Sequence, residues 1–422
     1  MKLSSRFFVT FVVAVFFSVH QAAYSQGVLL RGVGAVNESV GGTATAMPLD
    51  ASGALHWNPA SISALPKNEM TFGLGLFQPQ SRVKSSLSLG QLGNPSGSTK
   101  GETGVTPVPN MGIVWKKCPH SSFTYGLGMS AAGGASALYP QDAANPVLAA
   151  HGRSANVVIL QVTPTVAAQL TDRWSVGFAP LVDLATLNVN PMSLNRDINN
   201  PLSTYGTKYV WGGGFQVGTF YDFKNHFKTG FMFKSPIWAE KLYYNGIGLA
   251  DHQPGTVNFL LNLPMTLSAG VSYDGFRNTI IGMDVRYLDY ANTAGLNQGL
   301  VGNNVAGLDW ESVFAISVGM ERKINSKLSG RLGYCWNEDP IPSRSAALCI
   351  SAPMVTQHVF SCGFSYAFAK DLEMSAAYCH AFEAKLSGPI PTQQLPPIPG
   401  SSGTVTNVVS ADSFFAGITK KW

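Results

Sequence analysis

The side chains able to do covalent or metal chemistry are few in this chain and stand far apart. His56, His120, His151, His226, His252, His358 and His380 are scattered, and none shares zinc-ligand spacing with another histidine, a cysteine or a carboxylate. Cys118, Cys335, Cys349, Cys362 and Cys379 form an odd set without a CxxC pair, so they outline neither a disulfide framework nor a zinc site. Strand alternation would place Cys362 beside Phe360, Phe364 and Tyr366 on one face and Cys379 beside Ser375 and Ala377 on the other, which argues against a bond between them. No Gly-x-Ser-x-Gly elbow presents a nucleophile. We therefore expect no catalytic residue, no metal and no cofactor. The enzymatic alternative is a membrane-embedded lipase-type barrel, which needs only a serine, a histidine and a polar orienter meeting in space.

The elements that must position the remaining residues follow from composition. Of 422 residues, 12% are charged, 45% are hydrophobic and 44 are glycine, with a formal net charge of +5. That balance does not suggest a nucleic-acid partner. The N-terminus, MKLSSRFFVTFVVAVFFSVHQAAYSQ, joins basic residues, an apolar core and a small-residue site, as a secretory signal peptide does. Residues 1–25 are assigned to it, with cleavage after Ser25 or after Ala23, and the mature chain is placed outside the cytoplasm. Beyond the leader, no run of 18 apolar residues could form a membrane helix.

From Asn68 onward the hydrophobic period is two. Phe231 and Phe233 alternate with Gly230, Met232 and Lys234, and Phe314, Ile316, Val318 and Met320 alternate with Ala315, Ser317 and Gly319. Tight turns are read at 116–121, 170–173, 223–226, 273–276, 323–327 and 369–371. Long loops alternate with them at 78–106, 132–155, 187–206, 239–262, 290–310, 338–354 and 384–405. This alternation predicts an all-β, transmembrane antiparallel β-barrel of about 14 strands with the tight turns periplasmic. Trp115, Trp174, Trp211, Trp336, Tyr273 and Tyr287 near strand ends suit interfacial girdles. Upstream, residues 26–67 are rich in Gly, Ala, Ser and Thr without sustained periodicity. They read either as an N-terminal linker or as a hatch plugging the lumen of the barrel formed by residues 68–422.

Ordered blocks along the chain make the reading more specific. Asn58, Pro59 and Ala60 follow Asp50-Ala51-Ser52; then come VTPTVAAQLTDRWSVGFAP from 162, FQVGTFYDFKNHFKTGFMFKSPI from 215, LPMTLSAGVSY from 263, VGMERKINSKLSGRLGY from 318 and FSCGFSYAFAKDLEMSAAYCHAF from 360. In this set the chain resembles the FadL/TodX family of outer-membrane transporters for hydrophobic compounds. The resemblance implies a monomeric barrel in a Gram-negative outer membrane, a hatch carrying the Asn58-Pro59-Ala60 motif, and diffusion-driven uptake of long-chain fatty acids or aromatic hydrocarbons. It also implies lateral exit into membrane lipid beside a kinked third strand. The terminal strand ends on Trp422, resembling the signal read by barrel-assembly machinery, although Lys420 departs from the apolar pattern.

The greasy segments from 181, 236 and 257 either pack on one another or line an external groove. For the groove we single out Leu184, Leu187, Met192, Trp238, Leu242, Tyr243 and Leu249. Asp183, Lys234, Asp284, Arg286, Glu321, Arg331 and Glu373 face the lumen by alternation and are expected to pair, with Lys234 or Arg331 available as counter-charge to a carboxylate cargo. Gly133 and Gly134 either begin the second long loop or kink the third strand. In the latter case Asn58–Ala60 should face the kink. A surface adhesin or structural barrel is the remaining alternative, and it would lack an apolar binding segment.

Overall fold

The computed structural model describes residues 26–118 and 121–422; the expected leader and His120 lie outside the described residues. Fourteen antiparallel strands follow one another around a closed sheet. They are β1 (Glu69–Ser88), β2 (Thr106–Trp115), β3 (Phe123–Tyr139), β4 (Arg153–Gln169), β5 (Trp174–Asn190), β6 (Lys208–Asp222), β7 (Phe227–Lys234), β8 (Thr266–Phe276), β9 (Thr279–Leu288), β10 (Val313–Lys323), β11 (Leu328–Asn337), β12 (His358–Ala369), β13 (Leu372–Pro389) and β14 (Ser402–Lys421). Consecutive strands pair, and β14 closes on β1 from Glu69↔Lys421 to Ser88↔Ser402. Closure lets strands cross lipid, because backbone polar groups find partners within the wall, the outer half of β3 excepted.

Period-two alternation now acquires a direction. Phe72 of β1 is 59% exposed and Phe314 of β10 is 50% exposed, whereas Thr71 and Ala315 beside them are buried. The greasy face points outward, inverted relative to a soluble sandwich. Trp115, Trp174 and Tyr273 fall at the tight-turn end of their strands, and Trp211, Tyr287 and Trp336 at the long-loop end, so two aromatic girdles frame the apolar belt. Cys362 pairs with Tyr378, and inward-facing Cys379 pairs with Ser361.

Several strands run further than their hydrophobic pattern. Residues 78–88 continue β1 rather than starting a loop: Gln78, Gln80, Arg82 and Lys84 point out, while Ser81, Val83 and Ser85 stay buried. Likewise β3 reaches Tyr139, β4 begins at Arg153, β5 reaches Asn190, β13 reaches Pro389 and β14 begins at Ser402. One turn is displaced. The chain reverses at Arg277 and Asn278, not within 273–276; Asn278 supplies a left-handed residue at φ 58°, and a register shift between Tyr273 and Phe276 absorbs the extra residues.

Within the lumen sits the N-terminal segment, with helices α1 (Gly34–Ser39) and α2 (Ala51–Trp57). Asp50 caps α2, its Oδ1 accepting the Gly53 N–H at 3.0 Å. Helices of 6 and 7 residues are too short to persist alone. Their stability comes from burial: every residue of both is buried. Above them the outer loops share an apolar cluster that includes Leu148, Met192, Leu202, Tyr244, Phe259, Trp310 and Ile350.

Candidate functional site

Among the hydrogen bonds that fasten the hatch to the wall, two groups stand out. Asp284 of β9 accepts the N–H groups of Ala44 and Thr45 at 2.9 and 3.0 Å and the Thr45 hydroxyl at 2.9 Å. Arg286, two residues on and so on the same face, donates to the Gly42 carbonyl at 2.5 Å and to Asp284 at 3.0 Å. Its guanidinium lies 3.5 Å from the centroid of the Trp57 ring. The second fastening is the Asn58-Pro59-Ala60 motif. Asn58 is fully buried; its Nδ2 donates to the Thr45 and Thr219 carbonyls at 2.8 and 3.0 Å, and its Oδ1 accepts the Ala60 N–H at 3.0 Å. This amide ties hatch to hatch and hatch to β6 at once. Gly177 and Gly218, cross-strand partners on β5 and β6, leave the space the motif occupies: a Cβ on the first would strike Pro59, and one on the second would strike the Asn58 side chain.

The lumen-facing charges meet as alternation expects. Arg331 Nε lies 2.7 Å from Glu321 and its Nη2 3.9 Å from Glu373. Gln161 donates to Asp183 at 2.9 Å, and Lys234 Nζ reaches Gln161 Oε1 at 3.5 Å and lies 6.0 Å from the Trp57 ring centroid. Both proposed counter-charges, Lys234 and Arg331, are thus buried and already held by acceptors of the protein. A different cation is placed to meet an anion. Arg153, the first residue of β4, lines a 320 Å³ cavity under the outer loops together with Leu87, Val147, His151, Ile198, Leu249 and Ile390. Its Nε is buried without a hydrogen-bond partner. Burial, with Arg153 beside it, holds His151 below the usual imidazole range. The cavity therefore offers a mixed lining, in which the aliphatic side chains share the wall with Ser193, Asn199, Gln394, the Arg153 guanidinium and the His151 imidazole.

The seven residues singled out for a groove do not converge. Leu249 lines the cavity. Leu187, Met192 and Leu242 are buried in the apolar cluster beneath the loops. Leu184 lies on β5 on the same outward face as Val182. Trp238 is exposed with its backbone paired to Gly213 of β6, and Tyr243 is exposed because alternation in the external strand Leu242–Gly248 turns it away from Leu242 and Tyr244. Arg153 was missed because a lone arginine after a loop carries no periodic signal; only the cavity around it sets it apart.

Gly133 and Gly134 lie within β3, where a register shift against β4 falls between Ala131 and Gly133. On its other side β3 pairs with β2 only from Tyr125 to Ser130. The β1–β2 ladder runs on past Pro109 and Pro107, while the β2–β3 ladder stops at Asn110, which puts the missing proline N–H groups on the β3 side. The edge thus freed is met by the N-terminal segment: Leu30 N–H donates to Ala132 O at 3.0 Å and Gly134 N–H to Val28 O at 2.9 Å. Asn58–Ala60 does not face this bulge; it docks on β5 and β6, and Val28–Leu30 takes the place at β3.

A closed 14-strand wall, a hatch in its lumen and an interrupted seam beside β3 form the setting for the comparisons. Residues 21–410 match the family described as "Outer membrane protein transport protein (OMPP1/FadL/TodX)". The chain belongs to this family. No curated protein matches the chain. Among solved structures it is similar to the P. putida toluene transporter TodX, with 16% identity, a TM-score of 0.65, and 93% of this chain and 99% of that one covered. A Pseudomonas aeruginosa FadL homologue gives 13% identity and a TM-score of 0.71, and the Ralstonia pickettii toluene transporter TbuX gives 16% and 0.61, with the same coverage. At such identities the structures share the FadL/TodX barrel fold with this chain. Membership makes the protein an outer-membrane barrel of a family that transports hydrophobic compounds.

Proposed function

We propose that the protein carries hydrophobic compounds across the outer membrane by diffusion, loading them at the cavity beside Arg153 and releasing them sideways into lipid past β3. The carrying observation is the seam: the outer half of β3, from Ala131 to Tyr139, has no ladder to β2, and Val28–Leu30 bonds there instead. Val28–Leu30 is held there by two backbone hydrogen bonds, and the end of β3 by Glu102 N–H to Leu138 O at 2.8 Å and Leu138 N–H to Thr103 Oγ1 at 3.1 Å, a sparser closure than a continuous strand. Transport of this kind needs no cofactor and no catalytic group.

Arg153 supports a cargo with an acidic head, and so a fatty acid over an aromatic hydrocarbon. A half-buried guanidinium that enters no ion pair among the described residues favours an anionic ligand, and the leucine, isoleucine and valine side chains in the lining suit its chain.

Gly133→Val tests the exit. A Cβ at Gly133 would lie 2.6 Å from the Val28 carbonyl oxygen, so valine expels the N-terminal segment from the seam. Uptake of radiolabelled oleate by cells carrying the variant should rise several-fold, with oleate binding to the purified barrel unchanged. Uptake at or below the parental rate, in a barrel that still assembles, would place the exit elsewhere.

A further inference from the structure

We propose that the outward face of β13, β14 and β1 above the apolar belt binds the phosphorylated saccharide headgroup of an outer-leaflet glycolipid, with an acyl chain in the apolar depression beneath. Register aligns the cations. Lys385 pairs with Val408, Val408 with Arg82, and Arg82 with Lys100 of the short external strand Ser96–Lys100, so three of four positions in one cross-strand row are basic. Neighbouring strands lie about 4.8 Å apart, which sets the outer two cations about 14 Å from each other. Lys84 stands one outward step above. Val408 is only 8% exposed, covered by these longer side chains. Together they bound a 210 Å³ cleft with Gln80, Glu383 and Ser410. Glu383 is its one acid, 3.0 Å from Lys385. Among the described residues Arg82, Lys84 and Lys100 enter no ion pair, so the cleft keeps an excess of positive charge.

Directly below, the same strands change character. Asp412 is satisfied by Tyr378 Oη at 2.6 Å, His380 Nδ1 at 2.8 Å and Gln80 Nε2 at 3.3 Å. The next row inward, Leu76, Phe414 and Tyr378, opens the belt. There Ala376 and Ala416 leave a 510 Å³ outward depression walled by Leu74, Leu76, Phe364 and Phe414. The small residues make room for a chain; the aromatic walls hold it.

The distance between the two features selects the ligand. Arg82 is six residues above Leu76, about 20 Å along a strand and about 15 Å along the membrane normal after strand tilt. A glycerophospholipid phosphate lies within an interfacial zone about 5–7 Å deep. A phosphate carried on sugars reaches the row, and cations at an anionic leaflet attract it. Free phosphate would make no use of the depression.

Native mass spectrometry of the full barrel in mild detergent tests this, using a diphosphorylated rough lipopolysaccharide, the same glycolipid after dephosphorylation, and phosphatidylglycerol. The parent protein should retain the phosphorylated glycolipid at least about ten-fold more tightly than either other lipid, given about five-fold for each cation in contact. Arg82→Gln, Lys100→Gln and Lys385→Gln together should weaken retention about 100-fold on the same basis. Ala376→Phe, which fills the depression and leaves the charges, should weaken it as well. If the triple variant does not assemble, Lys100→Gln alone, outside the fourteen-strand ladder, should cost about five-fold. Unchanged retention by these variants, equal retention of the dephosphorylated or glycerophospholipid probe, or displacement by millimolar inorganic phosphate would overturn the proposal.

Discussion

Asp284 receives three donors from Ala44 and Thr45 and the Arg286 guanidinium, so one buried carboxylate gathers three of the hydrogen bonds between hatch and wall, beside others such as Gln216 to the Leu55 carbonyl and Ser272 to the Ala46 carbonyl. Asp284→Ala leaves two hatch N–H groups without an acceptor and Arg286 uncompensated, a loss of about 3–5 kcal/mol for a buried pair broken on one side. That loss falls on the hatch, because the β9 ladders to β8 and β10 do not use the side chain. We expect the variant barrel to keep its heat-modifiable gel migration while single-channel conductance in planar bilayers rises; unchanged conductance would show that the hatch is held elsewhere. Arg153→Gln bears on cargo. Affinity for oleate should fall about ten-fold, as for loss of a charge-assisted bond, with affinity for toluene unmoved. Equal losses for both ligands would show that Arg153 shapes the cavity without reading the acid group. Alternation located Asp284, Arg286, Arg331 and Lys234 on the lumen side, yet only their neighbours showed which cations were already engaged.

At the scale of elements, glycine rows and loop burial set what can move. Gly177 and Gly218 let the Asn58 turn dock, so Gly218→Val should release the hatch, read as protease sensitivity in residues 26–67 with the barrel intact. In the loop between β11 and β12, burial pushes the Asp339 carboxyl up to about 8, against the single Ile341 N–H bond that favours the charge. The folded loop then keeps a proton that the unfolded chain releases near pH 4. Its stability is therefore greatest below about pH 4 and falls as pH rises to about 8. Hydrogen-exchange protection across residues 340–357, taken relative to the intrinsic base-catalysed rate at each pH, should be lower at pH 9 than at pH 5, and Asp339→Asn should remove that difference. The revised position of Leu242 changes what a charge there would do. Leu242→Asp buries a carboxylate in the loop cluster, so it should loosen the loops rather than merely weaken ligand binding.

For the whole molecule, topology is the claim to test. Protease added to intact cells should cut the exposed external segment around Ala250–Gln253 and spare the turn at Ile324–Lys327; the opposite pattern would invert the barrel. Local sequence determined the strands, their two faces, their order and most of the tight turns, because period-two alternation is a property of each strand alone. It lost the strands above the belt, as in Gln78 to Ser88, where water replaces lipid and the outward side chains become polar like those of a loop. It also placed the Tyr273–Phe276 turn early, since an Asp-Gly pair reads as a reversal whether or not the ladder can absorb it as a bulge. Only the tertiary structure decided that the greasy face meets lipid, that Val28–Leu30 and not Asn58–Ala60 lies at the β3 seam, and that Arg153 lines a cavity under the outer loops. Those outcomes depend on contacts between segments far apart in the chain, such as Val28 with Gly134 and Asp284 with Thr45, and closing the barrel is what brings them together.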